Sequence, residues 1–155
     1  TGMVMPAPAG VEVAAEFIQT LESLPLIRGV PQRDLCPGKR LEGRAAAAAL
    51  QLLDCFGRSA MAGQSELHLI DVSVPGLLRV CTEDGAEVTL ADTGLEEQLR
   101  RWRLVRDAGL RMDKWVAALD LSVTNNCPLR WTDGTNSPPV RLRPGKQPAK
   151  TNKHV

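Results

Sequence analysis

Residues 115–131, WVAALDLSVTNNCPLRW, constrain the fold more than any other part of this chain. Apolar residues occupy every second position of the first half, and because successive strand side chains point to opposite faces, one face of that strand is apolar throughout. Asn125 and Asn126 tolerate the positive φ that a two-residue hairpin turn requires. The segment after them again alternates, so the stretch predicts two strands joined by a tight turn.

Two helices are predicted from separate signals. Residues 42–56 contain five consecutive alanines, which have the highest intrinsic helix propensity, and a stripe of leucines follows them. The second helix begins after Asp92, where Thr93 and Glu96 have the spacing of a capping box, and Gly109 marks its end.

Three strands are predicted between the helices. Residues 67–74 are predicted to form a strand, and segments 77–82 and 86–91 flank an Asp-Gly turn, which is a strong hairpin signal. Strands joined by hairpins, with few helices, indicate an α+β fold: a mainly antiparallel sheet with two helices packed on one face and an edge hairpin at the C-terminal end.

Composition narrows the function classes. Among the 155 residues, five Lys or Arg and no acidic residue follow Asp133, so 14 basic and 18 acidic residues precede that tail. The folded part thus lacks the basic character that nucleic-acid binding favours, and we expect residues 134–155 to be a disordered basic tail. No apolar run approaches the roughly 20 residues that span a bilayer, and no signal peptide is visible.

The four cysteines, Cys36, Cys55, Cys81 and Cys127, form no CxxC pair. Their spacing leaves three states open: buried thiols, a disulfide, or ligands of a metal. Buried thiols are the most economical interpretation, because a chain of this length does not need a disulfide and the two histidines are not clustered with the cysteines. We expect no metal and no cofactor.

Four segments resemble the extracytoplasmic β domain of the bacterial cell-division protein FtsQ, called DivIB in Gram-positive bacteria. LPLIRG at residues 24–29 is similar to the motif that opens that domain. Residues 67–92 and the helix at 95–105 resemble the stretch that follows, and residues 118–131 resemble its closing hairpin, with Asp120, Leu121 and Trp131 in the matching places. The resemblance implies a β domain at residues 24–133, preceded at residues 1–23 by the end of a POTRA domain, with residues 3–5 as its last strand.

The same resemblance implies a function. FtsQ proteins carry one membrane helix and a POTRA domain before the β domain, which lies on the periplasmic side of the inner membrane at the division septum. They are non-enzymatic scaffolds of the divisome that bind FtsB and FtsL, and FtsB adds a strand to the sheet edge made by the last strand. An edge strand has unpaired N–H and C=O groups that such a partner satisfies.

The partner-binding residues that the resemblance implies lie in the closing hairpin, with Leu129 and Trp131 as apolar anchors. Val123 stands where many relatives have Tyr, and Pro128 lacks an N–H, so one ladder bond is missing on the side that it faces. The expected set is Val123, Thr124, Asn125, Asn126, Cys127, Pro128, Leu129, Arg130 and Trp131.

Three other interpretations stay open. The chain is a cysteine-dependent enzyme if Cys127 beside Arg130 is a nucleophile, although the sequence places no histidine near it as a base. It is a generic periplasmic peptide-binding module if the same sheet edge takes another partner. The arginines at positions 100, 101, 103 and 106 form either a phosphate site or the solvated face of a helix.

Overall fold

The structure, a computed structural model, describes residues 22–133. The predictions for a strand at residues 3–5 and for a tail at residues 134–155 lie outside the described residues. The helices are α1 (Arg44–Arg58) and α2 (Leu95–Arg111), with a short 3₁₀ helix at Gln32–Asp34. The strands are β1 (Leu26–Arg28), β2 (Leu67–Asp71), β3 (Leu77–Thr82), β4 (Glu87–Ala91), β5 (Lys114–Asp120) and β6 (Leu129–Asp133).

The strands form one sheet in chain order, from β1 to β6. Pairings β2–β3, β3–β4 and β5–β6 are antiparallel, whereas β1–β2 and β4–β5 are parallel. The parallel pairings arise where a long connection separates two neighbouring strands, since a parallel pair cannot be joined by a hairpin. The α+β class and the mostly antiparallel sheet are confirmed; the packing of both helices on one face stays a prediction.

The core is mainly aliphatic and is shared by both helices and the sheet. Leu52 of α1 and Leu99 of α2 are fully buried in the same cluster as Val80 and Leu90 of the central strands. The helices also meet through aromatic rings, with the centroids of Phe56 and Trp102 5.8 Å apart. Burial of this kind stabilises by roughly 1.5–3 kcal/mol per large side chain.

Helix α2 begins differently from the prediction. Its N-cap is Gly94, in the left-handed conformation at φ 65°, and no side chain caps the helix. The prediction of a capping box formed by Thr93 and Glu96 is therefore wrong. The buried side chain of Gln98 instead accepts a hydrogen bond from the Ala91 N–H at 2.8 Å and donates to the Thr93 carbonyl at 2.7 Å. This amide ties the end of β4 to the first turn of α2.

Strand β5 contains a bulge. Val116 pairs with Trp131 and Ala118 with Arg130, so Ala117 is an extra residue relative to β6. A bulge reverses the side-chain alternation, which is why Val116 packs against the core while Trp115 is 39% exposed. The alternating apolar residues from 115 to 123 therefore do not all face the core: Leu119 and Leu121 are buried, whereas Trp115 and Val123 are exposed.

Candidate functional site

Strand β6 is the last strand of the sheet. Within residues 22–133 it pairs with β5 and with no other strand, so one side of its backbone is open. The open side carries N–H and C=O groups that a further strand can pair with. We call this side of β6 the open edge.

The backbone direction at Pro128 identifies the residues that form the open edge. The Asp120 N–H donates to the Pro128 carbonyl at 2.9 Å, so the polar groups of Pro128 face β5. Backbone groups of successive extended residues point to opposite sides, and thus Leu129 and Trp131 direct their N–H and C=O to the open edge, while Arg130 faces β5. The N–H that proline lacks would face β5 at this position. Its absence therefore removes no hydrogen-bonding group from the open edge.

Of the nine predicted binding residues, three lie in β6 and the others precede it. The prediction of a two-residue turn at Asn125 and Asn126 is wrong, because residues 121–128 form a longer loop. The chain does not turn back after Asp120, because the Leu121 N–H donates to the Thr89 carbonyl at 2.8 Å and the Leu121 side chain is buried. Leu129, Arg130 and Trp131 are in the strand, and Val123, Thr124, Asn125, Asn126, Cys127 and Pro128 are in the loop.

Two side chains hold this loop in place. The Asp120 carboxylate accepts hydrogen bonds from the N–H of Ser122 at 2.9 Å and from its hydroxyl at 2.6 Å, which forms an Asx-type turn. Arg101 of α2 donates to the Val123 carbonyl at 3.1 Å and also contacts the Cys127 thiol. Asp120 therefore has a structural role. Arg101, for which the sequence left a phosphate site and a solvated helix face open, docks the loop on α2.

Trp131 packs against the molecule itself. A Cβ placed on Gly109 would lie 2.5 Å from the Trp131 ring and 2.7 Å from the Lys114 carbonyl oxygen, so only glycine allows the ring to approach α2 this closely. Gly109 does not end the helix, which continues to Arg111. Trp131 is consequently partly buried, and Val123, at 46% exposure, is the more accessible apolar residue of the predicted set.

Within residues 22–133, cysteine and histidine side chains do not cluster at the open edge. All four cysteines are free thiols, so the disulfide alternative is wrong for this structure. Within residues 22–133 no group of His, Cys, Asp or Glu side chains has the geometry to bind a metal. The histidine in this part of the chain, His68, is exposed on β2, and three strands separate β2 from β6.

Two side chains with shifted pKa values, the carboxyl group of Asp71 and the thiol group of Cys81, lie away from the open edge. Hydrogen bonds from Ser73 and from Arg28 hold the pKa of Asp71 well below its usual range, and Arg28 contacts this carboxylate at 2.5 Å. Burial raises the pKa of the Cys81 thiol, and the negative charge of Glu87 raises it further. Asp71 and Arg28 link β2 to β1 at the opposite edge of the sheet.

No family model matches this chain, and no curated protein matches it. In the part of the chain that the structure describes, neither helix is long and apolar enough to cross a membrane.

Proposed function

We propose that this domain is a non-enzymatic scaffold that binds a partner protein by strand addition to the open edge of β6. The observation that carries the proposal is that the Pro128 carbonyl faces β5. Because backbone groups alternate in direction along an extended segment, the polar groups of Leu129 and Trp131 point away from β5. Strand addition obtains affinity from main-chain hydrogen bonds and specificity from side-chain contacts on both faces.

The two edges of the sheet differ in a way that favours β6. Strand β1 has three residues and its Arg28 is engaged in the ion pair with Asp71. Short, charged edge strands resist pairing with other chains. Strand β6 has five residues, and the loop before it exposes the apolar side chain of Val123.

The resemblance to FtsQ and DivIB suggests the partner. We propose an FtsB-type division protein, with an FtsL-type protein in the same complex, and a place for this domain on the periplasmic side of the inner membrane at the division septum. The parent protein would then be anchored by one membrane helix. The resemblance of residues 118–131 to the closing segment of that family supports this proposal.

Hydrogen exchange tests the mode of binding. We would add the membrane-distal segment of the same organism's FtsB-type protein, alone and with the FtsL-type protein, and follow amide exchange by NMR. Strand addition is expected to protect the amides of Leu129 and Trp131 and to leave that of Arg130, already directed at β5, almost unchanged. Equal protection of all three amides, or of none, would contradict strand addition.

A pair of variants isolates the main-chain contribution. Leu129→Ala and Leu129→Pro both remove the side chain, but only the proline also removes the N–H at the open edge. Because a net hydrogen bond contributes about 1 kcal/mol, titration calorimetry should show binding about fivefold weaker for the proline variant than for the alanine variant.

The identity of the partner is tested separately. If the FtsB-type and FtsL-type segments do not bind while an unrelated extended peptide protects Leu129 and Trp131, the domain is a peptide-binding module with another partner. If equal affinities are measured for Leu129→Ala and Leu129→Pro, the partner binds elsewhere.

A further inference from the structure

A second surface feature is a cleft between the end of α1 and the first half of α2. Its volume is about 300 Å³, at the lower end of the range for small-molecule sites. Leu99 and Cys55, both buried, line the inner part. Three arginines and one glutamate line the remainder together with two small residues: Arg58, Arg100, Arg103, Glu96, Ser59 and Ala60.

The three arginines are held to different degrees. Arg103 is fixed, since it donates to both carboxylate oxygens of Asp107 at 2.8 and 2.9 Å and to the Ala60 carbonyl at 2.7 Å. Arg58 pairs with Asp54, and Arg100 with Glu97, in ion pairs whose members are all more than 60% exposed. Exposed pairs of this kind are weak, so these two guanidinium groups can turn to an incoming anion at little cost.

We propose that this cleft binds a small organic anion that carries a short apolar chain. Its carboxylate would pair with Arg58 and Arg100, and its apolar part would lie on Leu99 and Cys55. Guanidinium groups bind carboxylates through strong, charge-assisted hydrogen bonds, and the excess of basic over acidic side chains in the cleft complements an anion. The site lies on the helices and is independent of the proposed strand addition at β6.

Hexanoate is a suitable probe for this site. In an NMR titration of the 155-residue chain, hexanoate is expected to shift the amide resonances of Cys55 and Leu99 in a saturable way. Hexanol supplies the apolar chain without the charge, and inorganic phosphate supplies charge without the chain, so both should bind about tenfold or more weakly. Hexanoate should also slow the alkylation of Cys55 by iodoacetamide.

The double variant Arg58→Gln, Arg100→Gln should weaken hexanoate binding by about tenfold or more, whereas Arg79→Gln, an exposed arginine of β3, should leave it unchanged. No saturable shift with hexanoate would overturn the proposal. Equal binding of hexanol, equal binding of phosphate, or full binding by the double variant would also overturn it. Thermal unfolding of each variant confirms that a loss of binding is not a loss of the fold.

Discussion

At the scale of single residues, close contacts between distant parts of the chain decide several roles. Gly109 lies under the Trp131 ring, and Arg101 holds the loop before β6 through the Val123 carbonyl. A glycine near the end of a helical pattern usually indicates a helix stop, and an arginine on a helix usually faces solvent. In both cases the partner is more than 20 residues away in the chain, so local patterns do not reveal it.

Gly109→Ala should destabilise the domain by about 1–3 kcal/mol, because the new methyl group would overlap the Trp131 ring and the Lys114 carbonyl. Gly57→Ala is the matched control: Gly57 also lies in a helix, and a Cβ there meets nothing within 4 Å. It should stabilise by about 0.5 kcal/mol, since alanine has the higher helix propensity. Urea denaturation measures both, and a stabilising Gly109→Ala would show that the ring does not sit against α2.

Asp71 should make stability depend on pH. Its pKa is lowered in the folded state by Ser73 and Arg28, so its contribution is present above the ordinary aspartate pKa of about 4 and is lost as the pH falls below that value. Asp71→Asn should therefore be less stable than the wild type at pH 7, and the difference should shrink below about pH 4. Thermal unfolding from pH 7 to pH 2 measures it; a difference independent of pH would contradict this role.

At the scale of elements, the junction between β4 and α2 depends on one buried amide. Gln98 binds both polar groups of Ala91 as well as the Thr93 carbonyl, and no cap forms at Thr93. The sequence signal for a capping box was present, but Gly94 extends the turn by one residue and moves Thr93 out of the cap position.

Gln98→Leu should cost about 2–3 kcal/mol of unfolding free energy, because it retains the volume and leaves the polar groups of Ala91 without their partner. Thr93→Ala should change stability by less than about 0.5 kcal/mol. Chemical denaturation separates the two. A loss of about 1 kcal/mol for Thr93→Ala would indicate that the threonine caps α2 after all.

At the scale of the whole molecule, the sheet has a protected centre and two unequal edges. Strands β3 and β4 are paired on both sides and carry fully buried Val80 and Leu90, whereas β1 and β6 each have one neighbour among the described residues. Local opening requires least free energy where backbone hydrogen bonds and buried contacts are fewest.

Amide exchange in the free domain should follow this arrangement. The amides of Val80 and Leu90 should exchange most slowly, and in β6 the amide of Arg130 should exchange more slowly than those of Leu129 and Trp131. NMR exchange rates at several protein concentrations provide the measurement. Slow exchange of Trp131 that depends on concentration would mean that a second copy covers the open edge.

The sequence alone determined much of the element inventory. The alanine-rich helix, the second helix and the strands around the Asp-Gly turn all lie close to their predicted positions, because helix propensity, turn chemistry and alternation act over a few residues. Only the tertiary structure decided the bulge at Ala117, the long loop before β6, the position of Trp131 over Gly109 and the direction of the polar groups at the open edge. These features depend on contacts between strands and helices that are distant in the chain, and a change of one residue in register moves a side chain to the opposite face.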